Sequence, residues 1–247
     1  MCVAALAWKA HPDWPLVAIG NRDEFHARAS APLARWDDGS GVIAGRDLVG
    51  QGTWLGLTEA GRFALVTNYR VPEGAQPGLP SRGILVTDLL QGRTPQPVET
   101  MNPFNLVEVA GGEARFLTNY PKTESRPLPP GIHGLSNGGF DLPWPKTRAV
   151  EQALSEWLEN ADNDFAPLLD ALRSERPDRR TARIEDGPEP RFAPVFIRDF
   201  IYGTRCSTVL ALSASGQGHM VERSFAPDGS VSGEVAMAFA WPSSALP

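Results

Sequence analysis

The second residue of the chain is a cysteine, Cys2, in the opening stretch MCVAALAW. If the initiator methionine is removed, Cys2 carries a thiol with a reference pKa of about 8.5 and an α-amine with a reference pKa of about 7.7 to 8.0. The amine can then take the thiol proton near neutral pH, so that no histidine base is needed. These residues predict a candidate N-terminal nucleophile.

Polar clusters interrupt otherwise apolar strands at or near their ends, where active-site residues often gather. The clusters are NRDEF at 21–25, TNYR at 67–70, LSNG at 135–138 and YGTR at 202–205. An arginine near the thiol would lower its pKa, an aspartate could orient the amine, and an asparagine could donate to an oxyanion. For any single cluster, turn residues and surface ion pairs are the simpler interpretation. Together with Cys2, the clusters supply candidates for all three roles.

Other motifs give weaker evidence of a functional site. GLSNG matches a nucleophile elbow with Ser136 as nucleophile and His219 as base, but GFDLPWP follows it, and its prolines block an immediate helix. GQGTWLG lacks the spacing of a phosphate-binding loop and is interpreted as a tight turn or bulge. The four histidines have no paired spacing, so no metal site is predicted.

Composition limits the class of protein. The chain has 247 residues, 42% of them apolar and 21% charged. This composition favours a single globular domain that spans residues 1–247. A net charge of −6 disfavours nucleic acid as a partner. Only Cys2 and Cys206 are cysteines, and neither a secretory signal nor a membrane span is visible. We therefore expect a cytoplasmic protein, while the oligomeric state stays open.

The order of elements predicts an α+β fold. Short strands divided by turn signals fill the first 70 residues, and a short helix capped by Ser81 runs through Leu90. Further strands follow, then helices between Lys146 and Arg176, a polar loop over 173–191, and strands at the end of the chain. Strands in series with helices packed on them indicate antiparallel sheets.

Several motifs in one order resemble the NRDE-domain family, also called the transport and Golgi organisation protein 2 family. They are NRDEF, GTWLG, TNYR, SRG, LSNGGFDLPWPKTR and YGTR. The match runs from Cys2 to at least the strand after Arg205, which is most of the chain. One small departure is GQGTW, where a paired glycine before TW is commoner.

The same positions are similar to cysteine N-terminal-nucleophile hydrolases of the bile-salt hydrolase and penicillin V acylase type. This resemblance implies a four-layer αββα sandwich with Cys2 at its mouth and with Asn68 and Asn137 as site residues. In those hydrolases the arginine and aspartate are three residues apart, whereas Arg22 and Asp23 are adjacent and would point to opposite faces of a strand. Either a bulge corrects this, or the arginine role belongs to Arg205, or the chemistry is lost.

The resemblance implies two kinds of function. One is hydrolysis or transfer of a small amide, thioester or related acyl compound by Cys2, which requires no cofactor. The alternative is non-catalytic binding and trafficking of haem or of an acyl lipid. Haem would need an apolar pocket with at most one ligand, such as Cys2 or a histidine, because the sequence has no CxxCH.

Overall fold

The computed structural model describes residues 2–142, 144–160, 163–183 and 190–247. The strands are β1 (Cys2–Trp8), β2 (Leu16–Phe25), β3 (Ser30–Arg35), β4 (Val42–Asp47), β5 (Leu55–Thr58), β6 (Arg62–Asn68), β7 (Phe104–Ala110), β8 (Glu113–Thr118), β9 (Glu124–Pro127), β10 (Gly131–Leu135), β11 (Tyr202–Leu212), β12 (Gln217–Phe225) and β13 (Val231–Ala240). The helices are α1 (Arg82–Leu90), α2 (Pro145–Asn160) and α3 (Ala166–Ala171), and short 3₁₀ turns cover Val98–Thr100, Pro190–Phe192 and Ser243–Ala245.

The strands form two antiparallel sheets. The first has the order β10-β1-β2-β11-β12-β13, and the second has the order β3-β4-β5-β6-β7-β8-β9. Helix α2 packs on β1 and β10, α3 packs on β11, and α1 packs on β5 and β6 of the second sheet. Each sheet therefore carries helices on one face and meets the other sheet on its opposite face. This arrangement confirms the predicted α+β, four-layer αββα sandwich.

Strand β1 is buried on both faces, and its alternating side chains supply two cores. Ala4, Leu6 and Trp8 belong to the core between the sheets. Val3 and Ala5 belong to the core between the first sheet and its helices. A strand covered on both sides reads as an almost continuous apolar run, which is why VAALAW resembles a buried strand and not an alternating one.

The predicted apolar stripe of α2 faces the first sheet. Val150, Leu154 and Trp157 are buried in the helix-facing core. Trp157 also stacks at a tilt on Trp14, with ring centroids 5.4 Å apart. The helix begins at Pro145, a position where the missing N–H of proline removes no intrahelical bond.

Helix α1 follows the sequence prediction at both ends. It is capped by Ser81, whose hydroxyl accepts from the backbone N–H of Gly83 at 3.2 Å. Gly92, just beyond the end of the helix, has a φ of 67° and can adopt it because it lacks a Cβ. None of the helices formed by the described residues is long and apolar enough to cross a membrane.

Some elements differ from the sequence prediction. Strands β3 and β9 have no predicted counterpart, and β2 continues through the whole of NRDEF instead of ending before it. Strands β3 and β9 lie at the two edges of the second sheet, where short, partly exposed segments containing proline are tolerated. Within the predicted polar loop over 173–191, residues 184–189 lie outside the described residues.

Candidate active site

Cys2 lies at the start of β1, directly opposite Arg22 of β2. Arg22 in turn lies opposite Cys206 of β11, so the three residues form a row across three neighbouring strands. Directly opposed residues in antiparallel strands share a face of the sheet. Cys2 belongs to the core between the sheets, and it also lines a cavity of about 480 Å³.

Arg22 and Asp23 have separate partners, as expected for adjacent residues of a regular strand. Arg22 donates to the Asp47 carboxylate, N–O 3.2 Å, at the end of β4 in the second sheet. The Asp23 carboxylate accepts from the Thr204 hydroxyl at 2.7 Å, on β11. The register shift near these residues lies on β11, between Thr204 and Cys206, and β2 itself keeps its pairing with β1.

Burial raises the pKa of the Cys2 thiol above its usual value. The Asp23 charge also raises it, whereas a hydrogen bond from the Asp23 backbone N–H and the charge of Arg22 lower it. The sequence predicted that a nearby arginine would lower the thiol pKa. Arg22 has that effect, but the loss of water around the sulfur outweighs it.

Asp23 and Lys146 are both buried beside this thiol. Burial raises the pKa of Asp23 to about 6, and the positive charge of Lys146 and the Thr204 hydrogen bond oppose that change. Burial lowers the pKa of Lys146, while Asp23 and Cys2 raise it. The Lys146 ammonium donates to the Phe192 carbonyl at 3.1 Å. The site therefore contains a buried acid and a buried base within electrostatic range of each other.

The two predicted asparagines meet where β6 of the second sheet approaches the turn after β10 of the first. The Asn137 side-chain amide donates to the Asn68 backbone carbonyl at 2.8 Å. Asn68 lines the Cys2 cavity, and its side chain has no hydrogen-bond partner within the described part of the chain. Asn137 is therefore held in a contact between the sheets, whereas the Asn68 amide faces the cavity with its donors available.

Arg205 occupies the register shift of β11. Its guanidinium donates to three backbone carbonyls at the end of β2 and just beyond it, those of Phe25 at 3.0 Å, His26 at 3.2 Å and Arg28 at 3.0 Å. These bonds hold the segment that carries Arg28 toward the Cys2 cavity. The geometry gives Arg205 a positioning role, and Arg22 is the arginine directly opposite Cys2.

Ser136 lies beside Cys2 without the surroundings of a nucleophile elbow. Its hydroxyl donates to the Cys2 carbonyl at 3.2 Å. Strand β10 precedes Ser136, but bends and a turn follow it, and the next described helix begins at Pro145. Ser136 therefore anchors the start of β1.

Cys206 is the second buried thiol. Burial raises its pKa well above the usual value, and the charge of Glu222 adds to that effect. Glu222 is itself held by the Leu33 backbone N–H at 2.7 Å. Both cysteines are free. One strand separates Cys2 from Cys206, which places their Cα atoms about 10 Å apart, too far for a disulfide.

Sequence reasoning missed two residues of the site. Arg82, the second residue of the SRG motif, lines the Cys2 cavity. Lys146 of LPWPKTR is completely buried and lies within electrostatic range of Asp23 and Cys2. Both residues belong to motifs of the family resemblance, but a lone arginine at a helix start and a lone lysine after prolines are usually surface residues. No group of three histidine, cysteine or acidic side chains arranged to hold a metal ion occurs among the described residues.

The two helix-covered sheets define an α+β protein with an αββα sandwich, in which Cys2 begins an inner strand. The family model "Transport and Golgi organisation 2" matches residues 1–227, and the chain belongs to that family. This confirms the family predicted from the sequence motifs.

Individual proteins are similar over nearly the whole chain. The transport and Golgi organization protein 2 homolog of Homo sapiens is 30% identical, over 91% of this chain and 93% of its own. The homolog of Mus musculus is 28% identical with the same coverage. A solved structure of the Caenorhabditis elegans ortholog of N-acylethanolamine-hydrolyzing acid amidase superposes with a TM-score of 0.49 at 12% identity, covering 84% of this chain and 92% of that one.

Proposed function

We propose that this protein is an N-terminal-nucleophile thiol hydrolase or acyltransferase that acts on a small amide, thioester or related acyl compound. The observation that carries the proposal is the position of Cys2, which begins an inner strand and lines a cavity together with Arg22, Asp23 and Asn68. A nucleophile, a positive charge, a carboxylate and a free amide donor therefore border one space that a substrate could enter.

The chemistry begins with removal of Met1, which exposes the Cys2 α-amine. The amine accepts the thiol proton, and the sulfur attacks the substrate carbonyl to form a tetrahedral oxyanion. The ammonium then returns the proton to the leaving amine or thiol as the carbon–heteroatom bond breaks, which leaves a thioester on Cys2. Attack by water or by an acceptor nucleophile on that thioester releases the acyl group and restores the thiol.

Named residues would support these steps. Asn68 donates to the oxyanion, and Asn137 fixes Asn68 through its 2.8 Å hydrogen bond to the Asn68 carbonyl. Asp23 orients the α-amine, and Arg22 favours the thiolate against the effect of burial. A reducing, cytoplasmic setting is part of the proposal, because an oxidised sulfur could not attack a carbonyl.

Intact mass spectrometry before and after iodoacetamide tests the proposal. We expect a protein that lacks Met1 and gains one adduct rapidly, mapped to Cys2. Cys206 is the internal control, since its buried thiol with a strongly raised pKa should react slowly. Complete retention of Met1, with Cys2 reacting no faster than a free thiol in solution, would remove the amine base and contradict the catalytic proposal.

The alternative is binding without chemistry, and one observation favours its acyl-lipid form. Apolar side chains of Val49 and Leu79 line the Cys2 cavity and are well exposed, at 62% and 38%. Haem fits less well, because no histidine lines this cavity in the described ranges and Cys2 would be the axial ligand. Titration with haem, for wild type and Cys2→Ala, tests this form. A saturable absorbance shift at micromolar haem that disappears in Cys2→Ala would support it.

A further inference from the structure

Two of the three arginines around the Cys2 cavity are neutralised by carboxylates. Arg22 and Arg28 both donate to Asp47, with N–O distances of 3.2 Å and 2.7 Å. Arg28 also lies 3.8 Å from a carboxylate oxygen of Glu24. Arg82 differs from both, since no carboxylate lies within ion-pair distance of its guanidinium in the described part of the chain.

Arg82 keeps donors available toward the cavity. Its one hydrogen bond within the described residues runs from Nη1 to the Pro103 carbonyl at 3.1 Å. A guanidinium carries five N–H donors and stays charged in proteins. Burial lowers the pKa of Arg82, and the charges of Cys2 and Glu24 raise it, which places all three groups within electrostatic range of each other. An unpaired, half-buried cation next to a candidate nucleophile can bind an anion.

The position of Arg82 is between two cavities. It lines the Cys2 cavity and also a neighbouring cavity of about 600 Å³. Both cavities share Asn68, and the second adds the aromatic side chains of Tyr69, Phe192 and Tyr202. A molecule whose carbonyl reaches Cys2 and whose body extends past Arg82 would lie along these aromatic groups.

Two glycine-containing motifs hold the Arg82 backbone rigidly. A Cβ on Gly52 would lie 2.2 Å from the Gly83 carbonyl carbon, so only glycine permits this approach. The backbone N–H of Thr53 donates to the Gly83 carbonyl at 3.2 Å. The GQGTW turn and the SRG helix start therefore pack backbone against backbone. This gives the GQGTW motif a structural purpose, since it fixes the residue next to Arg82.

We infer that Arg82 determines substrate specificity by binding an anionic group, a carboxylate or a phosphate, on the acyl compound that Cys2 attacks. The inference rests on the proposed function. It adds that neutral acyl compounds bind more weakly than anionic ones of the same size. The geometry that carries it is the shared cavity of Cys2 and Arg82 together with the absence of an internal carboxylate partner for Arg82 among the described residues.

The first experiment compares two alkylating reagents of nearly equal size that differ in charge. Iodoacetate and iodoacetamide each transfer their CH₂ carbon to the Cys2 sulfur and release iodide. The measured quantity is the alkylation rate with iodoacetate divided by the rate with iodoacetamide at Cys2. Dividing this ratio by the same ratio for N-acetylcysteine gives a normalised ratio. It measures how strongly the site attracts an anion, and it requires no turnover. We expect this normalised ratio to fall about tenfold in Arg82→Gln, because charge-assisted hydrogen bonds are lost.

Two control variants separate charge from structure. Arg82→Lys keeps the positive charge and should retain most of the normalised ratio. Arg35→Gln removes an exposed arginine that pairs with Glu59, and the ratio should not change. A normalised ratio near one in wild type, or the same ratio in Arg82→Gln and wild type, would overturn the inference.

A second experiment does not depend on thiol reactivity. Calorimetric titration compares N-hexanoylglycine, N-hexanoyl-aminomethylphosphonate and the neutral N-hexanoylglycinamide on wild type and Arg82→Gln. We expect about tenfold tighter binding of at least one anion than of the amide, lost in Arg82→Gln, and the stronger anion identifies carboxylate or phosphate. Equal binding of all three to wild type would overturn the inference. If Cys2 is alkylated slowly but the protein still binds the anions selectively, the result would contradict only the catalytic proposal.

Discussion

The side-chain amide of Asn137 donates to the backbone carbonyl of Asn68 at 2.8 Å and thereby links the two sheets at the edge of the Cys2 cavity. Asn137 is almost completely buried. Asn68 is less buried, and its own side chain has no hydrogen-bond partner in the described ranges. The two asparagines therefore differ in how their replacement should affect stability and activity.

Replacement of Asn137 by alanine should lower the free energy of unfolding by about 1 to 3 kcal/mol, because a buried side chain is removed and the half-buried Asn68 carbonyl loses its donor. Asn68→Ala is the matched control and should change stability by less than about 0.5 kcal/mol. Urea unfolding followed by circular dichroism measures both. Under the proposed function, Asn68→Ala instead abolishes acyl transfer. Equal stability losses in the two variants would contradict this division.

Replacement of Arg22 by glutamine should raise the pKa of the Cys2 thiol further, because the positive charge opposite the sulfur is removed. The pH profile of iodoacetamide alkylation at Cys2 should move to higher pH, with a lower rate at pH 7.5. Arg35→Gln serves as the control, since that exposed residue pairs with Glu59. A profile unchanged in Arg22→Gln would show that Arg22 does not tune the thiol.

The buried Asp23 should make stability fall as the pH rises. Its pKa is raised from 3.8 to about 6, so between these values the folded state binds more protons than the unfolded state. The contribution of protonated Asp23 to the free energy of unfolding is fully present below about pH 4 and is lost as the pH rises through about 6. At about 1.4 kcal/mol per pKa unit, the loss amounts to about 3 kcal/mol.

Urea unfolding of wild type and Asp23→Asn between pH 4 and pH 8 tests this linkage. The stability of Asp23→Asn relative to wild type should increase across that range and reach a plateau above pH 7. A difference that is independent of pH, or that has the opposite slope, would show that Asp23 keeps an ordinary pKa in the folded protein.

Replacement of Gly52 by alanine should destabilise the protein by about 1 to 3 kcal/mol, because the new methyl group would overlap the Gly83 backbone. Gly139→Ala is the matched control, since a Cβ there meets no atom within 4 Å and φ is not in the left-handed region. Thermal unfolding by calorimetry compares the two. Similar melting temperatures for both variants would mean that the turn relaxes away from α1.

The amino-acid pattern was sufficient to predict the elements that carry a clear local signal of burial or capping. The apolar run of β1, the stripe of α2 and the Ser81 cap of α1 all carry local signals, and the structure confirms them. Strands β3 and β9 lack such signals, since they lie at sheet edges, contain proline and are only partly buried. Their pairing depends on neighbouring strands and not on their own composition.

The sequence by itself determined the family and the α+β class, because motif order and hydrophobic periodicity are properties of the chain. The αββα layers and the candidate residues Asn68 and Asn137 were implied by the resemblance of its motifs to known hydrolases. Only the tertiary structure decided their surroundings. Burial raises the thiol pKa despite Arg22, and Lys146 lies buried beside Asp23. Desolvation and charge pairing depend on residues far apart in the chain, such as the Asp47 that neutralises Arg22, and no local pattern encodes those distances.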